Sequence, residues 1–178
     1  MPTSPLDVPP TPTRAEGALP PLAAAAVAAI AYLVPYALAR STSPSPDHPR
    51  VFLWYRLLRQ PSFKPPDIAI PIAWLGIETG LAWTAYRLLR RPGGPRRNRA
   101  LALLAGNVLG IGGWSRFFFG HRNLPAATAA SAALGVAAAA LVQATRKVDR
   151  PAAAASVPLV LWVGFATVLT AAIWQKNR

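Results

Sequence analysis

The sequence contains no cysteine and few acidic residues. Its 178 residues include 6 Asp and Glu against 19 Lys and Arg, with only 2 His. The absence of cysteine excludes disulfides and thiolate chemistry, although it leaves the redox compartment open. The few carboxylates and imidazoles show no metal-site spacing, and no nucleophile has an adjacent base. The composition counts against an enzyme without deciding the question, and it predicts no required cofactor.

Long polar stretches are also scarce. Hydrophobic residues make up 53% of the chain and charged residues 14%, and the mean hydropathy is +0.30, which is too apolar for an ordinary soluble domain. The apolar runs lack the alternation of a membrane β-barrel. Five of them reach the roughly 20 residues that a helix needs to cross a bilayer. The sequence predicts an all-α, multi-pass integral membrane protein, in a membrane it does not specify. The five predicted transmembrane helices of the bundle are 19–39, 68–88, 100–119, 126–145 and 152–174.

The start of the chain allows two interpretations. The small residues at 37–39 resemble a signal-peptide cleavage site. The apolar run is longer than a normal signal core and contains Pro35, which favours a retained first helix. Residues 1–18 are rich in Pro, Thr and Ser, so we predict a disordered tail there, followed by a membrane domain at 19–178.

The net charge of +13 would suggest nucleic acid if it lay on a soluble domain. Almost all of the basic residues lie outside the apolar segments, so membrane lipid headgroups are the predicted partner and nucleic acid is not. The two faces of the bundle carry nearly equal numbers of basic residues, and the orientation is poorly determined, with the N-terminus inside weakly favoured. The densest group surrounds the second loop and comprises Arg87, Arg90, Arg91, Arg96, Arg97 and Arg99.

Aromatic residues and prolines are concentrated in the first loop. Pro61 and the Pro65-Pro66 pair stiffen the chain, so that Trp54 and Tyr55 can be held as a lid at bilayer depth. The alternative is an aromatic belt at the membrane interface, which needs no ligand.

An acidic residue lies inside the second segment. Trp74 and Glu78 are one helical turn apart and share a face, and Glu78 is the only carboxyl well inside a predicted span. Such a group marks a functional interior by default, or else it is a neutral side chain bonded to a neighbouring helix. Trp83 falls on the opposite face, where packing or lipid contact is expected.

Two further helical stripes combine aromatic and polar side chains. One runs along the third segment through Asn107, Ile111, Trp114 and Phe118. The other runs along the last segment through Trp162, Phe165, Ala166 and Leu169, after a possible kink at Pro158. Apolar pockets with a few polar anchors are typical small-molecule sites, while plain packing is the alternative.

Two features of the third segment leave alternatives open. Gly106 and Gly110 have the spacing of a close-packing helix face, which fits a homodimer or contacts within one bundle equally well. His121, at the exit of the segment, can ligate a haem or porphyrin metal, but a solvated loop histidine is favoured.

Three strings carry a family resemblance. VFLWYRLLRQPSFKPP at 51–66, WSRFFFGHRNLP at 114–125 and VDRPAAAASVPLVLWVGFATVLTAAIWQKN at 148–177 resemble the TspO/MBR family of tryptophan-rich sensory and translocator proteins. The resemblance implies a five-helix membrane bundle, often dimeric, that binds tetrapyrroles, sterols and synthetic isoquinoline or benzodiazepine ligands beneath the first loop.

The resemblance also implies which residues bind the ligand. Glu78 is added to them because it shares a helix face with Trp74 inside the predicted span. The chain departs from the family pattern at Glu78, where an aromatic residue is usual, and at Phe63, Leu159 and Thr170. These departures change the polarity and shape of the expected pocket. The residues placed by the resemblance are Trp54, Tyr55, Trp74, Asn107, Trp114, Trp162, Phe165 and Ala166.

The leading functional hypothesis is a receptor or sensor for a hydrophobic planar ligand, with a porphyrin or haem as ligand rather than as cofactor, or a sterol. One alternative is a transporter of tetrapyrroles or lipids, against which the absence of an inverted repeat counts. Another is an enzyme that degrades porphyrin by light- or oxygen-dependent chemistry, with Trp54 and Trp114 as candidate electron donors.

Overall fold

The computed structural model describes residues 16–178, and residues 1–15 of the predicted tail lie outside this range. The described chain forms helices joined by loops and no strand, so the all-α prediction is confirmed. Its elements are α1 (Pro21–Ala39), α2 (Pro49–Leu57), α3 (Ala69–Leu89), α4 (Pro95–Ser115), a π-helical turn (Arg116–Gly120), α5 (Leu124–Arg146) and α6 (Arg150–Lys176).

Four helices in residues 16–178 are long and apolar enough to cross a membrane: α1, α4 with its π-helical turn, α5 and α6. Four of the predicted spans are therefore confirmed. Although α3 has 21 residues, it does not belong to this group. The fifth span stays a prediction.

Proline and capping side chains determine where the helices begin. A proline occupies the first or second position of α1, α4, α5 and α6, where the missing amide hydrogen is not needed. Asn123 caps α5 by accepting a hydrogen bond from Ala126 N, and Asp149 caps α6 in the same way with Ala152 N. These caps start both helices two residues before the predicted apolar segments.

The five long helices form a closed ring in the order α1, α3, α6, α5, α4 and back to α1. Glycines allow the closest approaches. A Cβ added at Gly80 on α3 would lie 2.5 Å from the carbonyl oxygen of Ala155 on α6. At Gly112 on α4 it would lie 2.7 Å from Cβ of Leu38 on α1. Glycine at these positions is required by the packing of neighbouring helices.

One end of the bundle carries the α3–α4 and α5–α6 connections, and we call it the basic end. Here the buried carboxylate of Asp149 accepts hydrogen bonds from Arg87 Nε at 3.0 and 3.1 Å and from Arg91 Nη2 at 2.7 Å. The chain before α1 lies along the same end, since Gly93 N donates to Glu16 O at 2.8 Å. Ion pairing and backbone bonds thus join the connections at this end.

Loop 1, residues 40–68, lies at the opposite end, which we call the loop 1 end. Pro49 starts the short helix α2 within it, an element that the sequence analysis did not predict. The oxygen of Thr42 Oγ1 lies 2.8 Å from Ser115 Oγ on α4, so the start of the loop is attached to the bundle.

Candidate functional site

Helix α2 places the predicted lid residues against the π-helical turn that follows α4. The Trp54 ring meets the Phe118 ring edge-on, with 5.8 Å between centroids. The Tyr55 ring meets Phe119 at 5.6 Å and Phe118 at 6.4 Å, also edge-on. The helix changes here from α-helical to π-helical geometry, which has more residues per turn. The Phe118 and Phe119 side chains both face loop 1.

Trp114 belongs to the same group of rings. It stacks on Phe118 with centroids 5.0 Å apart and planes 21° apart. Its indole N–H donates to Ala127 O at 3.0 Å and to Ser131 Oγ at 2.8 Å, both on α5. The N–H is therefore occupied within the protein, and only the ring surface is available to a ligand. We call Trp54, Tyr55, Trp114, Phe118 and Phe119 the first aromatic cluster.

A second aromatic cluster joins α3, α6 and loop 1 through Trp74, Trp162, Phe165 and Phe63. Trp74 and Trp162 meet edge-on with centroids 6.1 Å apart. Trp162 and Phe165 are 5.6 Å apart, and Phe63 of loop 1 lies 6.4 Å from Phe165. The structure thus brings three predicted site residues together, with the half-buried Ala166 next to Phe165 in the chain. It adds Phe63, which the sequence analysis treated only as a departure from the family pattern.

Glu78 lies one turn after Trp74 on α3 and is half-buried. Within residues 16–178 its carboxyl makes no side-chain hydrogen bond or ion pair, whereas Asp149 and Asp67 are paired with basic residues. The carboxyl is therefore a polar group beside the second cluster without a protein partner in the described chain.

Asn107 lies away from both clusters, at the contact between α4 and α5. Its side chain is fully buried, and Nδ2 donates to Leu103 O at 2.8 Å and to Ala137 O at 3.1 Å. The Oδ1 atom has no hydrogen-bond partner among the described residues. Asn107 links two helices and keeps one buried acceptor unused, which is unusual for a native interior.

Basic side chains lie over the lid aromatics. The Arg122 guanidinium is 5.5 Å from the Trp54 ring centroid, and the Lys64 ammonium is 5.6 Å from that of Tyr55. Burial raises the pKa of the Tyr55 phenol above its usual value, so the group is a neutral hydrogen-bonding partner at physiological pH. His121 is exposed after the π-helical turn.

Loop 1 is also held at Arg59, after helix α2, by a contact that the sequence does not reveal. Arg59 N donates to Asn177 Oδ1, and Asn177 Nδ2 donates to Arg59 O, each at 2.9 Å. The amide of Asn177 thus donates one hydrogen bond to the loop backbone and accepts one from it, as a residue of a neighbouring β-strand does. No local pattern indicates this contact, because the two residues are 118 positions apart.

Two surface concavities in the described chain lie elsewhere. One, of about 530 Å³, runs along the outside of α1 and α3 and includes Tyr32, Trp83 and Tyr86. The other, of about 320 Å³, lies between α4 and α5 at the basic end. Trp83, predicted to face away from the site, is half-exposed and stacked on Tyr86, as expected. The ligand cavity beneath loop 1 stays a prediction.

A ring of apolar helices with its tryptophans gathered mainly beneath one loop defines a helical integral membrane protein of a tryptophan-rich kind. Residues 23–175 match the model of the TspO/MBR family. The chain belongs to the TspO/MBR family, and the resemblance identified from its three motifs is confirmed.

Relatives occur in animals and bacteria. The chain is 30% identical over 129 residues to the translocator protein of Ovis aries, covering 71% of this chain and 76% of that protein. It is 28% identical over 124 residues to the tryptophan-rich sensory protein of Cereibacter sphaeroides, covering 70% and 77%. It is 30% identical over 127 residues to the tryptophan-rich protein TspO of Chlorobaculum tepidum, covering 70% and 79%.

Proposed function

We propose that the protein is a membrane receptor or sensor that binds a planar hydrophobic ligand, preferably a porphyrin, at the loop 1 end. The observation that carries the proposal is that loop 1 contributes aromatic residues to both clusters: Trp54 and Tyr55 to the first, and Phe63 to the second. A single movement of the loop would therefore expose ring surfaces in both clusters at once.

The edge-on geometry supports this exchange. Edge-on aromatic pairs contribute only about 0.5–1.5 kcal/mol beyond their buried area. A flat ligand that inserts between the loop and the bundle would replace these contacts with ring-face contacts of larger area. Trp114 would offer its face, because its N–H is already bonded to α5. Trp74 on α3, the helix whose membrane crossing stays a prediction, would then form one wall of the ligand site.

Charge favours a porphyrin over a sterol. Arg122 lies beside the Trp54 ring and belongs to no ion pair of the described chain, so it would meet a carboxylate at the edge of a porphyrin. Lys64 lies beside the Tyr55 ring, where it is paired with Asp67 and would have to exchange that partner for a porphyrin carboxylate. A sterol offers no anionic group to them. Glu78 and Asn107 would supply polar anchors, although Asn107 lies deeper and would be reached only by a penetrating ligand. The proposed ligand-binding residues are Trp54, Tyr55, Trp74, Glu78, Asn107, Trp114, Trp162, Phe165 and Ala166.

The test is a titration of detergent-purified protein with protoporphyrin IX in the dark, following tryptophan quenching and the porphyrin absorption band. Saturable one-to-one quenching that cholesterol does not compete away is the expected result. Quenching that rises linearly without saturation would overturn the proposal, since it indicates partitioning into the micelle.

The same sample, illuminated, tests the enzyme alternative. A receptor leaves the porphyrin band unchanged apart from the bleaching of free porphyrin. Faster loss of the band that disappears in Trp114→Phe would instead support light-dependent degradation. The name of the mammalian relatives raises transport as well, which movement of porphyrin between vesicle populations would reveal.

A further inference from the structure

The concavity between α4 and α5 at the basic end is lined mainly by basic and polar side chains. Three of its residues are basic and one is an amide, over a floor of two alanines. Its volume of about 320 Å³ is near the lower limit for small-ligand sites. The lining residues are Arg96, Arg99, Gln143, Lys147, Ala140 and Ala144.

No acidic side chain in residues 16–178 neutralises these cations. The nearest buried carboxylate along the chain, Asp149, is bonded to Arg87 and Arg91, which do not line the concavity. The ion pairs of the described chain involve neither Arg96 nor Arg99. The concavity therefore collects positive charge without a protein counter-ion.

The start of α4 increases this positive potential. Its first turn contains no acidic residue and no side-chain cap, while Arg96 and Arg97 both lie in it. Basic side chains at a helix N-terminus oppose the helix dipole, which normally favours anions there. A bound anion would offset two sources of positive potential at once: the charges of the neighbouring arginines and the partial charges of the free backbone amides in the first turn.

The position of the concavity indicates what kind of anion fits. Arg96 and Arg99 precede the apolar part of α4, and Lys147 follows that of α5, so all three lie at headgroup depth. From Arg99 the exposed side of α4 continues through Ala102 and Gly106, one and two turns deeper. Small exposed residues leave room for an acyl chain directly below the cations.

We propose that this concavity is a specific site for the phosphate headgroup of an anionic phospholipid. Arg96, Arg99 and Lys147 contact the phosphate, Gln143 donates to a headgroup oxygen, and one acyl chain lies along α4. The inference is independent of ligand binding at the loop 1 end.

The experiment is native mass spectrometry of the detergent-purified full chain titrated with dioctanoyl phosphatidylglycerol. Dioctanoyl phosphatidylcholine and inorganic phosphate serve as separate probes. We expect one retained phosphatidylglycerol per chain, with phosphatidylcholine bound more weakly and phosphate unable to displace the lipid. Equal affinity for the two lipids would overturn the proposal, and so would displacement by phosphate alone, which indicates a free-anion site.

Matched variants separate a site from diffuse surface charge. Arg96→Gln/Arg99→Gln should weaken phosphatidylglycerol binding by about tenfold or more, because each basic residue near the headgroups contributes measurably. Arg146→Gln/Arg150→Gln removes the same charge from the same end outside the concavity and should have less than about a twofold effect. Equal weakening by both pairs would refute a defined site.

A further variant keeps the test valid if the Arg96→Gln/Arg99→Gln protein does not fold. Ala144→Leu fills the floor of the concavity and leaves every charge in place. It should weaken phosphatidylglycerol binding while the thermal unfolding of the protein, followed by circular dichroism, stays unchanged. Full binding by a folded Ala144→Leu protein would contradict the proposal.

Discussion

The side-chain amide of Asn177 forms two reciprocal hydrogen bonds with the backbone of Arg59, both 2.9 Å long. This pair joins loop 1 to the C-terminal end of α6. The other attachment is the contact between Thr42 and Ser115 on α4. Between these two anchors the loop is held mainly by ring contacts, which suits the proposed opening of the loop for a ligand.

Replacing Asn177 with alanine should increase the opening of loop 1. Two lost hydrogen bonds of ordinary strength correspond to roughly a tenfold higher open population. We therefore expect trypsin to cleave at Arg56 and Arg59 about tenfold faster at unchanged thermal stability. Gln175→Ala alters an exposed neighbour and is the control. Equal cleavage rates in the two variants would show that the Asn177 pair does not hold the loop.

Gly80→Ala should destabilise the bundle. The new Cβ would lie 2.5 Å from the Ala155 carbonyl oxygen, so α3 and α6 must separate. Overpacking of this kind costs about 1–3 kcal/mol. Gly76→Ala, four residues earlier on α3, meets nothing within 4 Å and should be neutral or slightly stabilising. Thermal unfolding in detergent measures both, and equal melting temperatures would contradict the described packing.

Stability should depend on the charge of Asp149 only at low pH. Burial alone raises the pKa of the Asp149 carboxyl, but hydrogen bonds from Arg87, from a backbone amide and from Arg91 lower it to about 2. Because the folded pKa lies below the ordinary value of 3.8, the stabilisation is complete above that value. It is lost as the pH falls towards the folded pKa, and it amounts to about 2 kcal/mol.

Asp149→Asn should remove this pH dependence and lower stability at pH 7, because two guanidiniums lose their partner. Asp67→Asn changes an exposed carboxylate and is the control. Unfolding curves recorded between neutral pH and the folded pKa provide the measurement. If the stability of the wild type and that of Asp149→Asn fell equally with decreasing pH, this ion-pair network would not be the source of the pH dependence.

Gly106 and Gly110, the α4 glycines with the close-packing spacing, lead to opposite predictions. A Cβ at Gly110 would lie 3.0 Å from Leu134 Cδ1 on α5, whereas Gly106 is exposed and meets nothing within 4 Å. Gly110→Leu should therefore destabilise the single chain. Gly106→Leu should preserve its fold and, if α4 forms a homodimer, dissociate it. Light scattering of the purified variants distinguishes these outcomes, and an intact dimer in Gly106→Leu would exclude that face.

The sequence was sufficient to predict the five long helices, although not the short helix α2. Apolar runs locate helices because unpaired backbone groups cannot be exposed to lipid, and α3 begins and ends within one residue of the predicted 68–88. Differences arise where polar residues act locally. Pro95 starts α4 five residues before its predicted apolar segment, and caps at Asn123 and Asp149 extend α5 and α6.

The candidate site was only partly predictable. Helical spacing placed Trp74 and Glu78 on one face, and the structure pairs Trp74 with Trp162. Spacing along one helix says nothing about which neighbour it faces, so the bonding of Asn107 and Trp114 to α5 was not foreseen. Contacts between distant segments, such as Asn177 with Arg59, leave no periodic signal.

The most direct test of the central claim compares porphyrin binding by Trp74→Ala and Trp83→Ala. Both remove one tryptophan from α3, but Trp74 contacts Trp162 in the second aromatic cluster, whereas Trp83 stacks on Tyr86 outside it. Binding is followed by the porphyrin absorption band in the dark. We predict that Trp74→Ala weakens binding by about tenfold and that Trp83→Ala leaves it unchanged. Equal affinities in two folded variants would contradict a ligand site at the loop 1 end.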